Sequence, residues 1–177
     1  MITEGELIEV VGRLSSGRTS LFTTWLAAAT GAGGLAALVD ADGAFDPASA
    51  ARAGVDLERL LWVRTGGRRD LALRAADLLV RCRGLALVGL DLGESPPRVS
   101  LAAAFRLRLA ARRTGTTLVI LTSRRIAGPG ATFAMRTVRH AVEWSGGPRP
   151  TRLARVGTRV EVVRGRATTA AEHWWCA

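Results

Sequence analysis

Leu7-Ile8-Glu9-Val10-Val11-Gly12-Arg13-Leu14-Ser15-Ser16-Gly17-Arg18-Thr19-Ser20 is the stretch on which the fold turns. A short β-rich run stops at Gly12, and an apolar segment at helical spacing, Leu21 to Ala29, begins just past Ser20. The residues between have the spacing of a nucleotide phosphate loop, G-x-x-x-x-G-K-[ST], with Arg18 in the lysine position. Glycines at 12 and 17 let the backbone curl, so that successive N–H groups face a polyphosphate at a helix N-terminus. Gly12, Ser15, Ser16, Gly17, Arg18, Thr19 and Ser20 are therefore the candidate nucleotide-binding residues. Thr19 stands where a hydroxyl completes a Mg²⁺ shell. A lysine is a compact charge on a flexible stem, whereas guanidinium is broad and planar. Arg18 thus suits an anion but is expected to misplace a γ-phosphate, which weighs toward impaired hydrolysis over normal turnover.

Outward from this loop, strand-like and helix-like segments alternate. Leu35 to Val39 reads as a second strand ending at Asp40, Pro47 opens a short helix through Ala53, and Leu60 to Val63 reads as a third strand. An amphipathic helix is expected over 68–83, carrying Leu71, Leu73, Ala75, Leu78 and Leu79, with Gly84 as its stop and Cys82 in the core. The strand Leu85 to Leu90 ends at Asp91, and a helix over 99–113 precedes the strand Thr117 to Leu121. Strands separated by single helices imply right-handed crossovers and a mostly parallel sheet with helices on both faces. After Gly128-Pro129-Gly130 three β-like runs follow, Ala141 to Trp144, Leu153 to Val156 and Val160 to Val163. Turn signals at Gly146-Gly147-Pro148 and Val156-Gly157-Thr158 make them antiparallel strands that extend the sheet. No linker divides the chain, so 1–177 reads as a single α/β domain.

Composition sets the outer limits. The 177 residues are 48% hydrophobic and 23% charged, ordinary globular values that exclude a disordered or fibrous chain. All 25 basic residues are Arg, and Lys, Asn, Gln and Tyr do not occur, which is the mark of strong coding bias. Residues 1–60 hold four Arg against eight acids, and residues 61–177 hold 21 Arg against seven. A basic C-terminal part suggests a polyanionic partner, nucleic acid first and an anionic membrane surface second; an Arg-rich surface made by coding bias is the plain alternative. Cys82 and Cys176 have no CxxC or ligand spacing, and His140 and His173 stand alone, so no disulfide framework or zinc site is indicated. With no 18-residue apolar run and no secretion signal at Met1-Ile2-Thr3-Glu4, no membrane partner is expected and the chain reads as cytoplasmic.

Two carboxylates complete the candidate site. Asp42, in Val39-Asp40-Ala41-Asp42-Gly43-Ala44-Phe45-Asp46-Pro47, would project into the crevice at the carboxyl ends of the strands. It could orient an attacking water, or cap a turn; Asp46 before Pro47 looks like a helix cap. Asp91 is either the carboxylate that holds a Mg²⁺-bound water or a strand-end turn residue.

With these landmarks in order, the chain resembles the RecA recombinase family along nearly its whole length. Gly5-Glu6-Leu7-Ile8-Glu9-Val10-Val11-Gly12 with Ser15-Ser16-Gly17-Arg18-Thr19 looks like the RecA loop, which has Lys where Arg18 stands. Asp40 to Pro47, followed by Ala53-Gly54-Val55-Asp56, is similar to the segment bearing the catalytic Glu of that family, and Asp42 occupies its position. Arg159-Val160-Glu161-Val162-Val163-Arg164-Gly165-Arg166-Ala167 resembles the strand and turn near the end of the RecA ATPase core. The stretch from Asp91 to Val99 and the segment Ile126–Phe133 are short where RecA has DNA loops, and Ser123 falls where RecA places a Gln that senses the γ-phosphate. Only a few residues precede the first strand, where RecA carries a polymerising helix and strand. A shortened, Arg-rich, motif-degenerate member looks like the ImuA (SulA-like) group.

That resemblance implies ATP and Mg²⁺ as ligands. It implies single-stranded DNA, an ImuB-like pseudo-polymerase, an error-prone DnaE-type polymerase, RecA and further copies of the chain as partners in translesion synthesis and the SOS response. The alternative it leaves open is a DNA-stimulated ATPase of repair or recombination. Arg124, Arg125, Arg136 and Arg139 flank the loop that would face DNA, or else form a solvated face. Arg149, Arg152, Arg155, Arg159, Arg164 and Arg166 form a second cluster suited to DNA or an acidic protein. Trp174-Trp175 are either a partner anchor or pack back on the sheet, packing being expected for one of them.

Overall fold

The computed structural model describes residues 4–147, 151–165 and 170–176. Its elements follow the chain as β1 (Leu7–Val11), α1 (Arg18–Gly31), β2 (Leu35–Asp40), α2 (Pro47–Arg52), β3 (Leu60–Arg64), α3 (Arg69–Arg81), β4 (Leu85–Asp91), α4 (Leu101–Thr114), β5 (Thr117–Thr122), β6 (Phe133–Ser145), β7 (Arg152–Arg164) and β8 (Ala170–Cys176). The strands form one sheet in the order β3-β2-β4-β5-β1-β6-β7-β8. All pairings from β3 through β6 are parallel, and β6-β7-β8 are antiparallel. The α/β reading of the sequence, with helices on both faces and antiparallel strands at the C-terminal end, is the observed architecture.

Alternation along the central strands builds two cores. Leu7 of β1 joins Val88, Leu90, Leu118 and Ile120 under α3 and α4. Ile8 and Val10 join Leu38, Val119 and Leu121 under α1. Central parallel strands must be apolar on both faces because helices cover both, and the six residues of β5 are all buried. Contact across the second core is close enough that the Phe22 ring lies directly on Gly89, where a Cβ would stand 2.1 Å from the ring.

Helix ends follow local chemistry. The Asp46 carboxylate accepts from the backbone N–H groups of Ala48 and Ser49, with Pro47 as the first helical residue of α2. Ser100 caps α4, and Gly115 ends it at φ 80° in the left-handed region.

Three expectations need correction. The fully buried face of α3 is Ala72, Ala76 and Val80, spaced i, i+4, i+8; Leu73, Ala75 and Leu79 pack partly buried against the same core, while Leu78 is 67% exposed. Cys82 is exposed, since the helix has already ended at Arg81. Finally, Val156-Gly157-Thr158 is no turn: the two runs around it are a single strand, β7, and the first run is part of the 13-residue β6. Gly157 pairs with Ala141 beside the register shift between Arg139 and Ala141 on β6, where a Cβ would meet the His140 ring at 2.8 Å. Pro148 of the other turn signal lies outside the described residues.

Candidate functional site

Parallel pairing brings the carboxyl ends of β1, β2, β4 and β5 to one edge of the sheet. Residues 12–17 curl at that edge. The Gly12 N–H donates to the Thr122 carbonyl (2.9 Å) and the Ser16 N–H to the Arg13 carbonyl (3.1 Å). Ser15 adopts φ 58° and Gly17 φ 87°. No side chain caps α1 and no acid lies in its first turn, so its leading N–H groups stay open toward an anion. The C-terminal strands pack on the curl: Ser16 and Thr137 share a 2.8 Å hydroxyl bond, and the Thr158 hydroxyl fills the space a Cβ on Gly17 would need. Gly17 is thus required by its φ and by this close approach together.

Arg18 does not project into open space. Its side chain is 6% exposed, and one terminal nitrogen donates both to the Gly12 carbonyl and to Glu94 Oε1 at 2.8 Å. The other terminal nitrogen lies 3.9 Å from Asp91 Oδ1. Burial pushes the Asp91 carboxyl above the ordinary carboxylate range; the Gly93 N–H and Arg18 draw it down, while Asp40 and Asp42 push it up. Asp42 pairs with Arg69 at 2.6 Å and abuts Gly93, where a Cβ would lie 1.9 Å from Asp42 Oδ2 and φ is 64°. Asp40 is a turn organiser: it accepts from the N–H groups of Gly43, Ala44 and Phe45 and from the Trp62 indole.

The structure therefore gathers Gly12, Arg18, Asp42 and Asp91 around one point and adds Glu94 and Arg69, which no motif marked. Glu94 reaches Arg18 because its backbone is pinned from β5: the Ser123 hydroxyl donates to the Glu94 carbonyl (2.7 Å) and Arg124 to the Pro96 carbonyl (2.8 Å). Thr19 is not drawn in. It is exposed and lines a second cavity of about 530 Å³ with Ser20, Phe45, Asp46, Trp174 and Trp175. The residues present do not fit a Mg²⁺–triphosphate. Asp91 is turned to Arg18 and Gly93, and Thr19 lines the second cavity instead.

The four Arg expected to flank a DNA loop divide. Arg124 is tied to Pro96, and Arg125 donates to the Gly128 carbonyl (3.1 Å) and to Glu9 (3.4 Å). Glu9 is a fully buried carboxylate that also takes the N–H groups of Ile126 and Ala127. Arg136 and Arg139 lie within β6 rather than beside a loop, because β6 starts at Phe133. Both line a cavity of about 600 Å³ with Arg13, Ser16, Glu94 and Ser123, and neither their guanidinium groups nor that of Arg13 has a partner among the described residues.

In the second cluster, Arg155 pairs with Glu143 and stacks over Trp174, Arg159 meets Glu172, and Arg164 donates to the Ala131 carbonyl. Arg149 and Arg166 lie outside the described residues. Both indoles belong to β8. Trp175 packs on the core and donates to Thr158 (2.9 Å), while Trp174 stays 40% exposed. No helix among the described residues is long and apolar enough to cross a membrane.

A family profile described as the RecA N-terminal domain matches residues 1–98. Over 90 residues, 51% of this chain, the sequence is 40% identical to Protein RecA of Frankia alni and 42% identical to Protein RecA of Rubrobacter xylanophilus. Over 87 residues, 49% of the chain, it is 39% identical to Protein RecA of Bacteroides thetaiotaomicron. The matched part spans 26% of the length of each of these relatives.

Proposed function

Because the chain belongs to the RecA N-terminal-domain family, we propose that it is a RecA-like accessory protein of error-prone translesion DNA synthesis, of the ImuA type. It acts in DNA repair under the SOS response as a scaffold that binds DNA and partner proteins around a degenerate nucleotide site. One observation carries this reading. At the loop where a nucleotide's phosphates would sit, the cation is already paired with Glu94 and Asp91, while three Arg around the adjoining cavity have no partner among the described residues. Unpaired guanidinium groups lining an open cavity fit a phosphate backbone, whose binding needs no precise base contact. DNA is accordingly assigned to Arg136 and Arg139 with Arg13, and Arg124 and Arg125 shape the loop beside them. An ImuB-like pseudo-polymerase, a DnaE-type polymerase, RecA or a second copy of the chain are the protein partners in this reading, and the half-exposed Trp174 is a suitable anchor.

A DNA-stimulated ATPase is the second reading, favoured by the retained curl: Gly17 in the left-handed region and the uncapped start of α1. There Asp42 would orient water and residues 15–20 would take the phosphates, while Asp91 and Thr19 would have to leave their present surroundings to reach a Mg²⁺. Fluorescence anisotropy with a labelled oligonucleotide, alongside ATP turnover with and without single-stranded DNA, separates the two. The scaffold reading expects binding that weakens by at least tenfold between about 50 and 200 mM salt, with negligible turnover. DNA-stimulated turnover lost in both Arg18→Ala and Asp42→Asn would overturn it.

A further inference from the structure

We infer that Glu94 is the resident counter-ion of the phosphate loop: its carboxylate holds Arg18 in the place of a phosphate and thereby sets how poorly the loop takes a polyphosphate. The inference rests on the reading of residues 12–19 as a phosphate site and supplies the physical cause of its degeneracy. Carboxylate and phosphate oxygens present the same acceptor geometry to a guanidinium fork, so Glu94 and a phosphate compete for one set of donors. Arg18 is buried, and of its two acidic neighbours Glu94 is the nearer, at 2.8 Å against 3.9 Å for Asp91.

Glu94 is also the partner that an incoming anion meets. Its side chain is 35% exposed and lines the same cavity as Gly12, Ser16 and Arg136, whereas the Asp91 side chain is 12% exposed. The pair is built rather than incidental, since Ser123 fixes the backbone from which the Glu94 side chain springs. A polyphosphate settling on the open N–H groups of α1 must break this charge-assisted bond and leave Glu94 facing it as a like charge. A bond of that kind is equivalent to roughly ten- to a hundredfold in affinity.

The test is titration calorimetry of the full chain with inorganic pyrophosphate, and separately ATP, in metal-free buffer. Glu94→Gln should bind pyrophosphate about tenfold or more tightly than the wild type, and Glu94→Asp should fall between them. The gain should vanish in Arg18→Ala/Glu94→Gln, which a merely structural role for Glu94 would not produce. No gain in Glu94→Gln, or a gain that survives loss of Arg18, overturns the inference. Should Glu94→Gln fail to fold, Ser123→Ala, which only frees the Glu94 carbonyl, should give a smaller gain, and no gain there counts against the idea equally. Failure here with salt-dependent DNA binding intact leaves the scaffold reading standing; loss of DNA binding in the wild type removes that reading whatever Glu94 does.

Discussion

Two groups of Arg meet around one loop, and their surroundings differ more than their chemistry. Arg18, Arg69 and Arg125 are held by Glu94 with Asp91, by Asp42 and by Glu9; Arg18 and Glu9 are buried, where an unpaired charge is costly, while Arg69, Asp42 and Arg125 are partly exposed. Arg13, Arg136 and Arg139 border an open cavity that Glu94 also lines, and they form no ion pair among the described residues. In a chain whose every basic residue is Arg, the residue type carries little information. The presence or absence of a partner separates the Arg that hold the fold from those available to a ligand.

The strongest way to break that comparison is Arg18→Ala. It removes the main cation facing Asp91 and Glu94 and should cost about 2–3 kcal/mol of stability, with Glu94's exposure keeping it below the cost of a fully buried pair. Urea denaturation at neutral pH reads this directly. A loss no larger than that of Arg13→Ala would erase the distinction between the two groups.

A smaller effect sharpens the same contrast from the ligand side. Arg136→Ala/Arg139→Ala should leave stability within about 0.5 kcal/mol, because neither guanidinium has a partner among the described residues, yet lower the salt slope of DNA binding by about two. Arg124→Ala/Arg125→Ala should do the reverse: a measurable drop in melting temperature, as Glu9 loses its cation inside the core, with a nearly unchanged slope. Anisotropy across a salt series, with thermal melts of both double variants, decides it. A slope that falls only in the 124/125 variant would return DNA to the loop that the RecA resemblance implied.

How far these features were legible follows from the range of the forces involved. Strand and helix placement up to Thr122 was readable because apolar periodicity, Gly stops and Pro starts act over a few residues, as at Asp46-Pro47 and Gly115. The phosphate loop was readable for the same reason. Glu94 was not: its importance comes from a contact across 76 residues of chain, made through a backbone pinned by Ser123. Gly157 misled because a glycine at a bulge and a glycine in a turn look alike until the His140 and Trp174 rings opposite are known. Arg136 and Arg139 were marked as ligand residues for a neighbouring loop, but β6 starts early enough to carry them on a strand, where they face the phosphate-loop cavity.

The smallest effect concerns pH, and it compares Asp91 with Asp46. Burial raises the Asp91 carboxyl above its unfolded value near 3.8, so the folded state binds that proton more tightly than the unfolded chain does. Its favourable contribution is therefore full below the unfolded value and disappears as pH rises through the folded one. Asp46 runs the other way. The Ser49 hydroxyl, with two backbone N–H groups, lowers its pKa, so its contribution is present above the unfolded value and fades as pH falls through the folded one. Asp91→Asn should then flatten the profile just above that value and raise the melting temperature slightly at pH 7, since asparagine still accepts from the Gly93 N–H without a buried charge. Asp46→Asn, which keeps a cap, should steepen nothing and lose a little stability at pH 7. If Asp91→Asn instead lowers the neutral-pH melting temperature, the 3.9 Å approach to Arg18 is a strong ion pair, and Asp91 belongs with Glu94 as a second counter-ion of the loop.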